Sequence, residues 1–451
     1  MNSYIGPVVL LMAVTFLLLH KKLAGKYTLV SWFFISYGVM IGLGLAITNI
    51  FFKDNIEAGY LITQFSKNYS SDAWIYLPIS FAFLLSVFLG ACAFDKSKWV
   101  LITKFADSIA VKGSTENRVV GRYYFTAISL LFMSVAGYWL YVQAYGGFIP
   151  YIAYSGALRA GAMDELPPNP FSFLIAFGSF SFIASFLFYS LLLRKFRIIT
   201  LVLFLAAFSF SIYVLFSWLG RIAFLFYFMV FFMVSVIRKD DLQPKILQLF
   251  VLIIGALSLL VIVGALLGRK THSGIFQMLS LELIFPVSSL MNALEKNESF
   301  RMGIDFFTLP VYWLPQRFWA DYLVSADAVN TKLLFGVVKG DAGNTNSVPT
   351  DILTLSYLNL GYLGFVFFGV FTGYVLTAVD FICRSIRIVS VRLVVYAYMA
   401  LYLSVLMPIY ADPSHIAGRL FPIVGFLLVM YFSKFCTIDM ARLKKGCYVR
   451  D

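Results

Sequence analysis

Long apolar stretches, broken by short polar clusters, dominate the pattern of this chain. A helix needs roughly 20 apolar residues, at ~1.5 Å each, to cross a hydrocarbon core of about 30 Å. Eleven segments meet or approach that length, over 3–20, 28–52, 74–94, 123–145, 170–193, 198–218, 221–237, 246–267, 352–382, 393–411 and 419–435. The pattern predicts an all-α integral membrane protein with about 11 transmembrane helices, forming a single polytopic unit over 1–451. The first segment opens MNSYIGPVV, with no basic stretch and no small-residue cleavage site. It reads as a retained span rather than a signal peptide. The segments 198–218 and 221–237 are joined by a short turn at Gly220, which predicts a tight helical hairpin.

Composition sharpens this picture. The chain is 61% hydrophobic and 13% charged over 451 residues, with a mean hydropathy of +0.86. A soluble domain carries roughly 45–50% apolar and about 25% charged residues. Half that charge cannot cover a water-facing surface, so a soluble enzyme is excluded. With 18% aromatic residues, a disordered chain is excluded too.

Lys and Arg predict the orientation, because they gather on the cytoplasmic side. With the C-terminus inside, 23 of the 35 cations fall in inner loops, and the N-terminus lies outside. The acidic residues divide the other way, 8 inside and 14 outside. The net charge of +13 is then mostly a topology signal. A nucleic-acid surface would cluster cations and aromatics on one soluble face, so no nucleic-acid partner is expected. Cys92, Cys383, Cys436 and Cys447 all fall on the inner side, where thiols stay reduced. His20, His272 and His415 are far apart and match no metal spacing, and neither a Walker loop nor a dinucleotide fingerprint is present.

The polar chemistry lies in the outer loops. The largest, 268–351, holds two apolar stretches. One, 274–294, carries Glu282 and Pro286 and suits a re-entrant or interfacial segment. The other, 306–323, mixes Trp313, Trp319, Tyr312 and Tyr322 with Arg317 and Asp321. Trp and Tyr settle at the bilayer surface, so this stretch predicts a helix or helix-turn lying flat there. The Gly- and Asn-rich stretch 336–351 is expected to be mobile. A second outer loop, 145–170, carries Arg159, and the last, 410–422, brings Asp412, His415 and Arg419 within eight residues.

Arginines mark the outer helix ends. Arg221 follows the hairpin turn, Arg269 closes 246–267, and Arg419 opens the last span. Snorkelling to lipid phosphates explains any one of them. Several on the side expected to hold the fewest cations suggest a phosphate-binding cluster, because guanidinium grips phosphate in a bidentate fork. Gly38-x-x-x-Gly42 and Gly369-x-x-x-Gly373 predict close helix packing. Asp380 and Arg384, four apart, read as an ordinary surface pair.

Several stretches together resemble the Wzy-type polymerases of bacterial surface polysaccharides. These are LGRIAFLFYFMVFFM (219–233), LLGRKTHSG (266–274), the polar stretch at 341–351 running into YLNLGYLG (357–364), and DPSHIAGRLFP (412–422). The resemblance implies a GT-C-like fold with one large periplasmic loop, in the bacterial inner membrane. It implies glycosyl transfer at the periplasmic face between two undecaprenyl-diphosphate-linked oligosaccharides, a growing donor chain and a single-repeat acceptor. It implies no cofactor, and a chain-length regulator as a further partner.

On that chemistry, preorganised cations would neutralise charge on the departing diphosphate. Arg221, Arg269 and Arg419, then Arg159, are the expected diphosphate ligands. A general base would activate the acceptor hydroxyl. The candidates are Asp412, His415, His272 and Glu282, with Tyr357, Asn359 and Arg317 lining the site. Two other functions compete. An O-antigen ligase shares the loop plan. A transporter or flippase would put ionisable residues near the midplane and often shows internal repeats, whereas span interiors here are nearly free of charge.

Overall fold

In the computed structural model the described residues are 4–47, 73–95, 116–160, 167–218, 221–237, 242, 248, 255, 275–296, 300–314, 318–319, 322–339 and 347–436. Their regular structure is helical. Among the described residues, eight helices are long and apolar enough to cross a membrane. Against the eleven expected segments, seven of the eight follow directly: Ile5–Ala24 (α1), Leu29–Ile47 (α2), Tyr76–Ala93 (α3), Arg118–Gln143 within α4, Ser172–Arg194 (α6), Ile198–Trp218 (α7) and Pro413–Ser433 within the last helix. Helix α4 begins at Glu116, and α5 is the short Phe148–Ala160 between α4 and α6. Two more segments form shorter apolar helices, α8 over Arg221–Val236 and α14 over Val389–Met399, whose apolar stretch extends to Val405. The expected span 246–267 lies outside the described residues apart from Gly255 and Gln248.

The long segment 352–382 departs from expectation. It is two helices, α12 (Ile352–Leu360) and α13 (Tyr362–Ser385), broken at Gly361 with φ 58° and ψ −142°. Only glycine enters that backbone region without strain. The two helices then press together, because a Cβ on Gly364 would overlap the Ser356 carbonyl. Only α13 is left as the eighth membrane-length helix.

Small residues set the closest helix contacts. On α13, Gly369 and Gly373 lie against the backbone of α3 at Phe83 and Val87, and Gly90 of α3 meets the Val370 carbonyl. This is the predicted small-residue packing, which lets backbones approach where lipid gives no hydrophobic drive. Gly38 and Gly42 likewise face Leu10 and Ala13 of α1, and here α2 takes a π turn over Gly38–Leu43. Helix α6 is the most enclosed span, with α4, α7, α14 and α15 packed around it. Its Ser181, Ser185 and Ser190 bond backbone carbonyls of their own helix, so no hydroxyl is stranded there. Large apolar side chains such as Phe132, Ile199 and Leu363 are more than 70% exposed, as a lipid-facing surface requires.

The pair Asp380–Arg384 is not at the surface. Asp380 is buried, pairs with Arg384 Nε at 2.6 Å, and accepts the Leu29 N–H at 3.0 Å. A carboxylate from α13 thereby satisfies one of the orphan donors that open α2. Arg384 also donates to the Tyr27 carbonyl at 2.6 Å. The pair is a clasp between two helices.

Between α8 and α12 the described chain forms α9 (Ile275–Lys296), α10 (Ile304–Thr308), a 3-10 turn at Val311–Trp313 and α11 (Ala326–Phe335). The stretch 274–294 is thus one helix that continues through Pro286. Of the stretch expected to be a helix or helix-turn, the described part holds the end of α10 and the 3-10 turn, with Pro310 between them. Of the stretch expected to be mobile, 340–346 lies outside the described residues. Residues 347–351 are pinned: Thr331 Oγ1 accepts the Val348 N–H at 3.0 Å, and Thr350 O accepts the Ala411 N–H at 2.8 Å. The last helix, α15, runs over Pro413–Cys436 and starts six residues before Arg419, which is therefore inside the helix and does not open it.

Candidate functional site

The start of α15 is the focus of a polar cluster. Asp412 precedes Pro413, and its Oδ1 accepts the Ser414 N–H at 2.7 Å and the Ser414 hydroxyl. This is a helix cap with proline in the first helical position, where its missing N–H costs nothing. The cap fixes the first turns of α15, and so fixes His415 and Arg419.

A residue that the sequence reading left out of the site completes it. Asp327, in the first turn of α11, accepts from His415 Nε2 at 2.7 Å through Oδ2. Its Oδ1 accepts the Thr350 N–H at 2.8 Å, and its own N–H donates to Asp412 Oδ2 at 2.8 Å. Ser325 caps α11 by accepting the Ala328 N–H at 3.2 Å, which sets the direction of that first turn. Asp327 thus ties together α11, the 347–351 segment and α15. The His415 side chain is 42% exposed while that of Asp327 is 11% exposed. A reachable imidazole on a shielded carboxylate is the arrangement of an oriented acid–base group.

Tyr410 carries the cation and the imidazole on one scaffold. Its ring meets the His415 ring edge-on at 5.6 Å, and the Arg419 guanidinium lies 5.4 Å from its centroid. Arg419 Nη1 donates to the Tyr410 carbonyl at 3.1 Å, and Tyr398 donates its hydroxyl to the Arg419 carbonyl at 2.7 Å. Trp313 of the 3-10 turn donates its indole N–H to the Ala417 carbonyl at 2.9 Å, so this turn packs on the first part of α15.

Electrostatics bear on the carboxylates. Burial pushes the Asp412 carboxyl above its ordinary range, and the neighbouring Asp327 carboxylate pushes it the same way. Asp351 is fully buried and pushed up to about 7, by burial before any other cause, although Thr354 and two backbone N–H groups bond it. A carboxyl in such surroundings holds its proton to a higher pH.

The other expected site residues divide. Asn359 and Tyr357 belong to a second group of contacts, whose Arg301 feels the charge of Asp412. Asn359 is buried and donates to Asp305 Oδ2 at 2.9 Å, while Arg301 forms a two-point pair with Asp305 at 2.7 and 2.8 Å. Tyr357 is buried against Phe300 and Phe365. Arg301 and Asp305 were absent from the expected set, although their i,i+4 spacing is a sequence signal for a pair. Arg221 is the first residue of α8, Arg159 is near the end of α5 and Glu282 is within α9, with side chains outside the description. Arg269, His272 and Arg317 lie outside the described residues. Among the described residues, no group of three or more His, Cys, Asp or Glu could hold a metal ion. Cys92 and Cys383 are free thiols.

Comparison with protein-family models, with curated proteins and with solved structures gives no match for this chain.

Proposed function

We propose that this multi-pass membrane protein is a polymerase of a bacterial surface polysaccharide, joining undecaprenyl-diphosphate-linked repeat units at the periplasmic face of the inner membrane. The observation that carries the reading is the half-exposed His415 on the shielded Asp327, with Arg419 against the same Tyr410 ring. In the reaction the acceptor hydroxyl attacks the anomeric carbon of the donor sugar. The C–O bond to the diphosphate breaks, and the hydroxyl proton passes to a base. His415 supplies that base better than Asp412, whose oxygens are engaged by Ser414 and the Asp327 N–H. Arg419 supplies positive charge for the departing diphosphate, where a preorganised cation acts without reorganisation. Arg221, Arg269 and Arg159 are the further diphosphate ligands of this reading. His272 and Glu282 are its alternative bases, and Arg317 is its remaining lining residue.

The test is a lipopolysaccharide gel of a deletion strain. Loss of the protein should collapse the ladder to core plus one repeat. Wild type should restore it, and Arg419→Ala should not. A gel with no repeat attached to core would instead point to a ligase, and an unchanged ladder would reject O-antigen as the product.

A further inference from the structure

The geometry assigns Asp327 as the positioning residue that sets the tautomer of His415, leaving Nδ1 as the ring nitrogen that meets a substrate proton. This deepens the reading of His415 as a base and rests on it for its role in catalysis. The dyad itself stands on geometry alone.

A carboxylate only accepts, so the nitrogen it touches must be the one that carries hydrogen. Asp327 Oδ2 stands 2.7 Å from His415 Nε2. In the neutral ring the proton therefore sits on Nε2, and Nδ1 keeps its lone pair. Asp327 is itself held at three points. Thr350 donates to its other oxygen, its N–H is given to Asp412, and its carbonyl accepts the Thr331 hydroxyl at 2.6 Å. The two backbone bonds fix the main chain of Asp327, and the Thr350 N–H holds its carboxylate, which cannot turn away from His415 without giving up that bond. The exposure asymmetry points the same way. The imidazole is open to a ligand while its carboxylate partner is screened from water, where a hydrogen bond is stronger. The segment 268–351 thereby contributes to the site and is more than a cover for it.

The experiment is nitrogen NMR of the full-length protein in lipid nanodiscs, with the histidine rings labelled. The chain has only three histidines, so the signal missing from His415→Gln identifies His415. At a pH where the ring is neutral, wild type should show hydrogen on Nε2 and a bare Nδ1. Asp327→Asn should shift the population toward hydrogen on Nδ1, because an amide can also donate, and polymer formation should fall on the order of 100-fold or more. Asp327→Glu should keep the wild-type tautomer and recover part of the activity. Hydrogen on Nδ1 in wild type would overturn the assignment, and that result needs no variant to fold. An unchanged tautomer in a folded Asp327→Asn protein would overturn it too. If the tautomer behaves as stated while no site variant alters the polysaccharide ladder, the dyad stands and the polymerase reading falls.

Discussion

The backbone N–H of Asp327 donates to Oδ2 of Asp412 at 2.8 Å, joining residues 85 positions apart at the start of two helices. The contact satisfies one of the orphan donors that open α11, from the residue that caps α15. Asp412→Ala removes the cap of α15 and strands the Asp327 N–H. Loss of a cap costs about 1 kcal/mol, and an unsatisfied buried donor costs roughly 1–3 kcal/mol. Thermal unfolding in a mild detergent should show a loss of that combined size. Asp412→Asn, which keeps an acceptor, should lose less. Equal stability of Asp412→Ala and wild type would contradict the contact.

Helix α13 meets α3 without room for a side chain at Gly373, where a Cβ would overlap the Val87 carbonyl. Gly373→Ala should destabilise the protein by roughly 1–3 kcal/mol through overpacking. Gly121→Ala is the control, because nothing lies within 4 Å of a Cβ there. It should be neutral or slightly stabilising, since alanine favours helix more than glycine does. Unfolding midpoints of the two variants, compared with wild type, check both.

The Asp380–Arg384 clasp can be broken from either side. Asp380→Ala leaves Arg384 and the Leu29 N–H without their carboxylate, and breaking a buried pair costs on the order of 3–5 kcal/mol. The double variant Asp380→Leu with Arg384→Leu should cost less than the two single losses added together. A double-mutant cycle on unfolding midpoints measures the coupling. Strict additivity would mean that the two side chains do not act as a pair.

Asp351 makes stability depend on pH. Its folded pKa of about 7 lies above the ordinary value of 3.8. A raised carboxyl contributes stability that is fully present below the unfolded pKa and is lost as pH rises through the folded pKa. The unfolding midpoint of wild type should therefore fall, relative to Asp351→Asn, between about pH 4 and somewhat above pH 7. Asparagine still caps α12 but cannot ionise in that range. Parallel pH profiles of the two proteins would contradict a buried, proton-holding Asp351.

Much of this architecture is legible in the chain because length and hydropathy alone determine a span. The spacing of Asp412, His415 and Arg419 within eight residues also points to one site, and the structure brings them together. Asp327 was hidden because nothing local marks one carboxylate among several in a long polar loop. Bonds from α11 to the 347–351 segment and to Asp412 bring it to His415. The break at Gly361 was hidden because the apolar pattern runs straight through it. The length of 352–382, well beyond the need of one span, was the available signal. Asp380 reads as a surface residue at i,i+4 spacing because its second partner, the Leu29 N–H, is 351 positions away.

The most direct measurement is polymer formation by the purified protein in proteoliposomes, supplied only with an undecaprenyl-diphosphate-linked repeat unit. Wild type should make chains of more than one repeat without added nucleotide or metal. His415→Ala should lower the rate by about 100- to 10,000-fold, the span of a lost acid–base group, and Arg419→Ala by about 100- to 1,000-fold. Full-length polymer at the wild-type rate from a folded His415→Ala protein would contradict the site. No polymer from active-folded wild type on any lipid-linked repeat would contradict the function.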